Sequence, residues 1–315
     1  MKRFLLHVVG FVPALLLGVA TMMILAQVHP RISYMLFGKA SQYGHTIQRT
    51  PDFANRNTGP DLLFLGSSTC YRGMDPRPFE SRGIQAFNLC SSSQTFFNAD
   101  HLLHWSLDEE KQPRHLLLDI YPRIWSGSEI EASRDLTINN NLAHHAAFQK
   151  MAWSTADIQT ILKASYFGIM RLFGPHGVVQ GTRDRYISGG FTYSIQSPVD
   201  SVECVPDTCE LNRTQRRAFE RIRRTCEEEG IQLLLVNPPQ LCEEVFEKPE
   251  VMEGLPWIEG NDWPLAKVDT LYYDDHHLRG VGAGLYSEWL AEQVEATLAE
   301  PDQIRGVVGR DGRGR

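Results

Sequence analysis

The sequence has little excess positive charge, no zinc-type cysteine spacing and no internal repeat. Its 315 residues include 31 Lys+Arg against 38 Asp+Glu, a formal net charge of -7. A nucleic-acid-binding protein usually carries a basic patch, so this balance argues against DNA or RNA as a partner. No Cys-x-x-Cys pair occurs, and no His/Cys spacing suggests zinc. We therefore expect no nucleic-acid partner, no metal and no other cofactor.

One long hydrophobic run is present, at the N-terminus. Lys2 and Arg3 precede an almost wholly apolar segment from Phe4 to Ala26. About 20 apolar residues suffice for a helix to cross a bilayer, and the positive end stays in the cytoplasm. We predict an uncleaved anchor over residues 1–27, with the remainder extracytoplasmic (periplasmic). A cleaved signal peptide is the alternative, because small residues at 18–20 suit a cleavage site.

The rest of the chain alternates short apolar runs with helical patterns. We predict a polar, irregular connector over residues 28–58, one α/β domain over residues 59–299 and a mobile tail over residues 300–315. Strands are predicted near residues 61–66, 84–89, 115–120 and 231–236, and helices over 95–107, 211–229 and 282–298. Alternation of this kind indicates a mostly parallel sheet with helices on both faces. Residues 130–200 have a different pattern and are interpreted as a helical insertion.

Two polar motifs stand next to the predicted elements, one after the first strand and the other before the last helix. Gly66-Ser67-Ser68 stands just after the first strand, where ligands of parallel sheets bind. An exposed serine there can become a nucleophile when a base lies nearby, although Gly-Ser-Ser is also a common turn sequence.

The second motif, Asp274-Asp275-His276-His277, precedes the last helix. A carboxylate three residues before a histidine can orient the imidazole and stabilise its charged form. A helix cap or a metal site would use the same residue types.

Together the two motifs resemble those of the SGNH/GDSL hydrolase superfamily. The match of Gly66-Ser67-Ser68 to the family's first block implies that Ser68 is the nucleophile. The match of Asp-x-x-His to Asp274 and His277 implies the other two members of a triad. The resemblance also implies a flavodoxin-like, three-layer αβα sandwich. It covers roughly residues 60–125 and 205–298.

The family's two middle blocks match less well. The second is Asn-x-Gly-x-x-Gly, and here Asn88 is present while Cys90 and Ser93 replace the glycines. The resemblance implies that the Ser93 N–H, with the Ser68 N–H, forms the oxyanion hole. The third block's asparagine has no counterpart in the segment around Tyr121. Ser93, Asn88 and Tyr121 are therefore the expected oxyanion or substrate-binding residues.

These departures, with the N-terminal anchor, resemble the membrane-tethered branch of the superfamily, which acylates envelope polysaccharides or helps transfer D-alanine. We expect an extracytoplasmic serine esterase or O-acyltransferase. Its expected substrate is an acylated carbohydrate or another ester, and its expected partners are the membrane and a membrane-bound acyl donor protein. The alternative is a non-catalytic envelope binding or assembly protein, motivated by the incomplete oxyanion blocks.

Six cysteines occur, an even number that permits disulfides outside the cytoplasm. Cys204 and Cys209 bracket a turn sequence, so they are the best local pair. The alternative is that most of the cysteines are free and buried as small apolar side chains.

Overall fold

The computed structural model describes residues 10–15, 17–22, 25, 45–138, 145–171, 184–205 and 207–299. Much of the predicted anchor over residues 1–27, and the whole predicted tail over residues 300–315, lie outside these ranges. Residues 10–15 and 17–22 are helical, and no helix in the described ranges is long and apolar enough to span a bilayer.

A five-stranded parallel sheet forms the centre of the domain. The described strands are β1 (Leu62–Leu65), β2 (Ala86–Asn88), β3 (His115–Asp119), β4 (Asp184–Ile187), β5 (Phe191–Ser194), β6 (Thr208–Cys209), β7 (Gln232–Asn237), β8 (Val245–Phe246) and β9 (Trp257–Glu259). The sheet order is β2-β1-β3-β7-β9. In β1, Phe64 pairs with Asn88 on one side and Leu117 on the other. The predicted α/β class with a parallel sheet is confirmed.

The described helices outside the N-terminal segment are α1 (Thr46–Ala54), α2 (Ser68–Gly73), α3 (Arg77–Glu80), α4 (Phe96–Asp108), α5 (Ile130–Ile138), α6 (His145–Ser154), α7 (Ile158–Arg171), α8 (Arg213–Glu229) and α9 (Gly280–Ala299). Single 3-10 turns span Pro122–Trp125, Glu250–Met252, Gly260–Asp262 and Asp269–Leu271. Local sequence sets the ends of α8: the Asn212 side chain accepts a hydrogen bond from the Gln215 N–H, and Gly230 ends the helix at φ 69°.

Alternate residues of β1 face two separate hydrophobic cores. Leu63 and Leu65 pack in the core that contains the apolar faces of α4 and α8. Leu62 and Phe64 pack in the core that contains those of α2 and α9. Because every β1 side chain is buried, the strand appears in the sequence as a continuous apolar run.

Two segments differ from the sequence interpretation. The connector predicted over residues 28–58 contains helix α1, whose Phe53 is fully buried in the core with α4. Within residues 130–200, interpreted as a helical insertion, the residues around Gly189 and Gly190 join β4 and β5 as an antiparallel hairpin. A Cβ on Gly190 would lie 1.8 Å from the Asn88 carbonyl oxygen, so only glycine permits this close approach of hairpin and sheet.

The disulfides also differ from the local pairing expected. Cys204 bonds to Cys242 rather than to Cys209, and Cys70 bonds to Cys90. Cys209 lies in β6 with its side chain buried and, like Cys226, is free. Pairing of β6 with β8 turns Cys209 toward the interior, so chain proximity does not decide the bond.

Candidate active site

Ser68 lies immediately after β1, at the first residue of α2. The turn that places it there depends on Gly66. A Cβ on Gly66 would lie 2.2 Å from the Asp119 Cβ, a separation that real atoms do not tolerate. Glycine therefore lets the end of β1 approach the end of β3 closely, and Ser68 emerges at the carboxyl edge of the sheet.

The buried carboxylate of Asp119 holds the residues on both sides of Ser68. Its Oδ2 accepts hydrogen bonds from the Ser67 N–H at 3.0 Å, the Ser67 hydroxyl at 3.0 Å and the Thr69 hydroxyl at 2.8 Å. Its Oδ1 accepts from the Tyr121 N–H at 2.8 Å. Asp119 is inaccessible to solvent, and burial raises its pKa above the ordinary value. The four hydrogen bonds offset part of that cost and immobilise the Ser68 backbone.

Ser68, His277 and Asp274 form a continuous hydrogen-bonded chain. The Ser68 Oγ lies 2.7 Å from His277 Nε2, and His277 Nδ1 lies 2.7 Å from Asp274 Oδ2. The other Asp274 oxygen accepts from the His277 N–H at 2.7 Å and the His276 N–H at 3.0 Å. All three residues implied by the family motifs therefore meet, although the serine and the histidine are 209 positions apart in the sequence.

The electrostatics favour a neutral imidazole at His277. Burial lowers its pKa to about 4, even though the hydrogen bond to Asp274 acts in the opposite direction. Burial is the largest single influence on the pKa of Asp274 and raises it, but the hydrogen bond from His277, the electrostatic attraction of His277 and His276 and the hydrogen bond from the His276 N–H together leave this pKa below the ordinary value. At neutral pH the His277 Nδ1–H therefore donates to an ionised Asp274, and the Nε2 lone pair faces the Ser68 hydroxyl.

Tyr273 and Arg72 support the His277 ring from the other side. The Tyr273 ring stacks on the imidazole with an interplanar angle of 4°. The Arg72 guanidinium donates to the Tyr273 hydroxyl at 2.8 Å and forms an ion pair with Asp184 at 2.9 Å. Sequence reasoning did not assign Tyr273 a role. Its position directly before the Asp-x-x-His motif was the only signal for one.

Ser68 opens on a cavity of about 720 Å³. Its walls include residues from the ends of β1 and β3, the loop after β2 and the helical insertion, namely Ser67, Ser68, Ser93, Thr95, Tyr121, Arg123, Ile124, Gly127, Ser128, Ile130, Glu131, Arg134, Lys163 and His276. Helices α5 and α7 supply Glu131, Arg134 and Lys163. The insertion therefore forms one side of the space above the candidate nucleophile.

Of the expected oxyanion residues, Ser93 and Tyr121 line this cavity and Asn88 does not. Ser93 adopts φ 48°, a left-handed conformation that is unfavourable for an L-residue and that glycine adopts freely. Among the described residues, neither the Ser93 N–H nor the Ser68 N–H donates a hydrogen bond. Both amides are therefore available to a ligand oxygen.

Asn88 has a structural position instead. Its side-chain amide donates to the carbonyls of Cys70 and Met74, and its Oδ1 accepts from the Cys90 N–H. The Cys70–Cys90 disulfide joins the same two segments. The asparagine and the disulfide therefore bind α2, which carries Ser68, to the loop that leads to Ser93.

Among the described residues, the Tyr121 hydroxyl has no hydrogen-bond partner, and it is shut away from solvent although the residue lines the cavity. The Tyr121 ring stacks on His276, with centroids 5.3 Å apart and an interplanar angle of 20°. Tyr121 therefore contributes its ring, and not a hydroxyl donor, to the site.

Asp274, His276 and His277 offer ligand atoms within 4.8 Å of one another, so a cation at this group is the alternative chemistry. Both nitrogens of His277 are engaged, one with Ser68 and one with Asp274. A cation bound to His277 would have to displace one of these two hydrogen bonds. The observed geometry fits a proton relay from Ser68 better than a metal-ligand set.

No protein-family model matches this sequence, and no curated protein or solved structure was found to be similar to it.

Proposed function

We propose that this protein is a serine esterase or O-acyltransferase of the SGNH/GDSL type. The observation that carries the proposal is the hydrogen-bonded chain from Ser68 through His277 to Asp274, which opens on a cavity of about 720 Å³. Hydroxyl, imidazole and carboxylate in this order activate a serine for attack on an acyl carbonyl.

The sheet order supports the flavodoxin-like form of the fold. When only the strands of the central sheet are counted, β2-β1-β3-β7-β9 becomes 2-1-3-4-5, the order of flavodoxin-like doubly wound sheets. The order reverses between β1 and β3, and ligands of such sheets bind at that point. Ser68 follows β1 and Tyr121 follows β3, so the candidate site lies where the topology favours a ligand.

The proposed reaction has two steps. In the first, the Ser68 Oγ bonds to the ester carbonyl carbon, and its proton passes to His277 Nε2. The tetrahedral intermediate then collapses, the alcohol leaves with that proton, and an acyl-serine ester results. In the second step, a water or acceptor hydroxyl attacks the acyl carbon and gives its proton to His277, and Ser68 recovers the proton as the acyl group departs.

The N–H groups of Ser68 and Ser93 would stabilise the negative oxygen in both steps. Loss of one such donor typically costs about 3 kcal/mol of transition-state stabilisation. The Tyr121 hydroxyl is shut away from solvent, so it is not proposed to replace the asparagine donor absent from the third block. The site would then have two donors, drawn from two different segments.

The cellular setting belongs to the same proposal. The apolar segment over residues 1–27 would anchor the domain to the membrane, with residues 59–299 on the periplasmic side. In hydrolysis the proposed substrate is an acylated envelope carbohydrate. In transfer, a membrane-bound protein would donate the acyl group and a carbohydrate hydroxyl would accept it. Alkaline carbonate extraction of membranes tests the anchor: the full chain should stay in the pellet, and release into the supernatant would contradict it.

The alternative of a non-catalytic binding or assembly protein predicts a Ser68–His277 separation beyond hydrogen-bond reach and a closed pocket. The 2.7 Å contact and the cavity weigh against it.

Labelling with a fluorophosphonate probe tests the proposal directly. The wild type should be labelled, and Ser68→Ala and His277→Gln should not. Ser128→Ala is the matched control, since Ser128 lines the same cavity outside the triad. It should label like the wild type. Labelling of a folded Ser68→Ala variant, or no labelling of the wild type, would refute the assignment.

A further inference from the structure

The segment before α9 carries two adjacent histidine–carboxylate pairs, and the proposed mechanism uses one of them. Asp274 holds His277 toward Ser68. The neighbouring Asp275 Oδ1 lies 2.6 Å from His276 Nδ1. The two imidazole rings are tilted relative to each other and in contact, with centroids 3.9 Å apart. The second pair is therefore in contact with the first, yet it has no part in the Ser68 relay.

His276 is held from several directions. Asp275 Oδ2 accepts a hydrogen bond from Arg123 at 2.9 Å, and Arg123 also pairs with the buried Glu244. The hydrogen bond with His276 and the positive charge of Arg123 lower the pKa of Asp275, so this carboxylate stays ionised. The Tyr121 ring covers one face of the imidazole. An array of this kind fixes both the orientation of the ring and the nitrogen that faces the carboxylate.

The remaining nitrogen of His276 is left for a ligand. His276 lines the cavity that contains Ser68. Among the described residues, its Nε2 has no hydrogen-bond partner and is not one of the atoms shut away from solvent. In the tautomer whose Nδ1–H donates to Asp275, the Nε2 atom carries a lone pair and is an acceptor. An O–H group in the cavity is the complementary chemistry.

We propose that His276 Nε2 binds one hydroxyl of a polyol acyl acceptor while an adjacent hydroxyl of the same molecule attacks the acyl-Ser68 ester. This inference rests on the proposed function. The attacking hydroxyl loses its proton to His277, and the bound hydroxyl keeps its own. The short distance between the two rings allows hydroxyls on neighbouring carbons to reach both. The acceptor class is therefore a vicinal diol, the arrangement that carbohydrates carry.

Partition of the acyl-enzyme between acceptors tests this. p-Nitrophenyl acetate supplies the acyl group, and glycerol and 1-propanol compete as acceptors at equal concentration. One additional hydrogen bond of about 1 kcal/mol corresponds to a preference for glycerol of about fivefold in the wild type. His276→Leu should abolish this preference, and His276→Gln, whose amide oxygen accepts a hydrogen bond, should keep part of it.

The product ratio is measured within one folded population, so a loss of folded protein does not change it. His104→Leu is the matched control, because His104 lies on α4 and is largely exposed. It should keep the wild-type ratio. His104→Leu should also keep the wild-type burst of p-nitrophenol, whereas His277→Gln should lose the burst.

Each result that differs from these expectations would refute a specific part of the proposal. Equal use of glycerol and 1-propanol by the wild type, or an unchanged preference in His276→Leu, refutes the acceptor role of His276 and leaves the esterase proposal intact. Loss of the burst in His276→Leu would place this residue in acylation instead. No burst in the wild type would refute the proposed function, and the acceptor inference with it.

Discussion

Replacement of Asp119 by asparagine should loosen the nucleophile turn without removing any member of the triad. Asp119 Oδ2 accepts three hydrogen bonds from Ser67 and Thr69, and Oδ1 accepts one from the Tyr121 N–H. Asparagine has one oxygen. In its better orientation that oxygen takes the Oδ2 position, and the NH₂ group then faces the Tyr121 N–H, so two donors meet in the interior.

The stability effect follows from these contacts. Three hydrogen bonds to a charged acceptor become neutral ones, a loss of about 2 kcal/mol in total, and the unpaired Tyr121 N–H costs roughly 2 kcal/mol more. Burial raises the pKa of Asp119, which shows that the fold disfavours its charge, and asparagine relieves this cost. If the relief offsets about half of the loss, the free energy of unfolding falls by about 2 kcal/mol.

The catalytic effect should be larger than the stability effect. Ser67 and Thr69 flank Ser68, and a misplacement of about 1 Å in a reacting group can cost roughly 100-fold in rate. We expect Asp119→Asn to reduce kcat/KM for p-nitrophenyl acetate by about that factor at a temperature where the variant is fully folded. Urea denaturation gives the stability change, and initial rates give kcat/KM.

Asp135→Asn is the matched control. Asp135 is buried in α5 and accepts a hydrogen bond from the Thr46 hydroxyl at 2.6 Å, but it does not line the cavity. It should lose stability and keep kcat/KM within twofold. The reasoning fails if Asp119→Asn keeps the wild-type rate, or if Asp135→Asn loses as much activity for the same loss of stability.

Three further changes have defined outcomes. Because burial lowers the pKa of His277 to about 4, kcat/KM should stay near its maximum from pH 8 down to about pH 5; an inflection at pH 6.5 or above in the rate profile would contradict this. Because the pKa of His277 is lower in the folded than in the unfolded chain, this residue makes the fold more stable above pH 6.5 than near pH 4, where the unfolded chain binds the proton more tightly. The difference between the urea midpoints at pH 7 and pH 4.5, compared with the same difference for His277→Gln, measures this effect. Ser93 has a left-handed conformation that costs an L-residue about 1–2 kcal/mol, and Ser93→Gly removes this cost, although the greater unfolded-state entropy of glycine offsets part of the gain. Thermal denaturation should therefore show stabilisation of about 0.5 kcal/mol, and activity should be unchanged. A destabilised variant would show that the Ser93 side chain is needed. Gly66→Ala should prevent folding or abolish activity, because its methyl group would overlap Asp119, and wild-type circular dichroism together with wild-type rates would exclude the close approach.

Local patterns in the sequence determined the parts that depend on neighbouring residues. Continuous apolar runs predict β1, β3 and β7, because the middle residues of strands buried on both faces are apolar. The spacing of Asp274 and His277 predicts their pairing, since three residues of a turn bring the two side chains together. The end of α8 at Gly230 follows from its backbone freedom.

Very short strands and contacts between distant residues could not be predicted from local sequence patterns. Strand β9 has three residues, of which only Ile258 is well buried, so its pattern is too brief to separate from a loop. The partner of Cys204 is 38 residues away, and the order of the strands rather than chain distance brings the two together.

The meeting of Ser68 with His277 was decided by tertiary structure. The sequence by itself determined that a serine follows the first strand and that an Asp–His pair precedes the last helix. The hydrogen bond between them joins residues 209 apart, and it forms because β1 lies inside the sheet, between β2 and β3, and α9 packs in the same core as α2. Only that packing also places the carboxylate of Asp119 under the nucleophile turn and His276 on the wall of the same cavity.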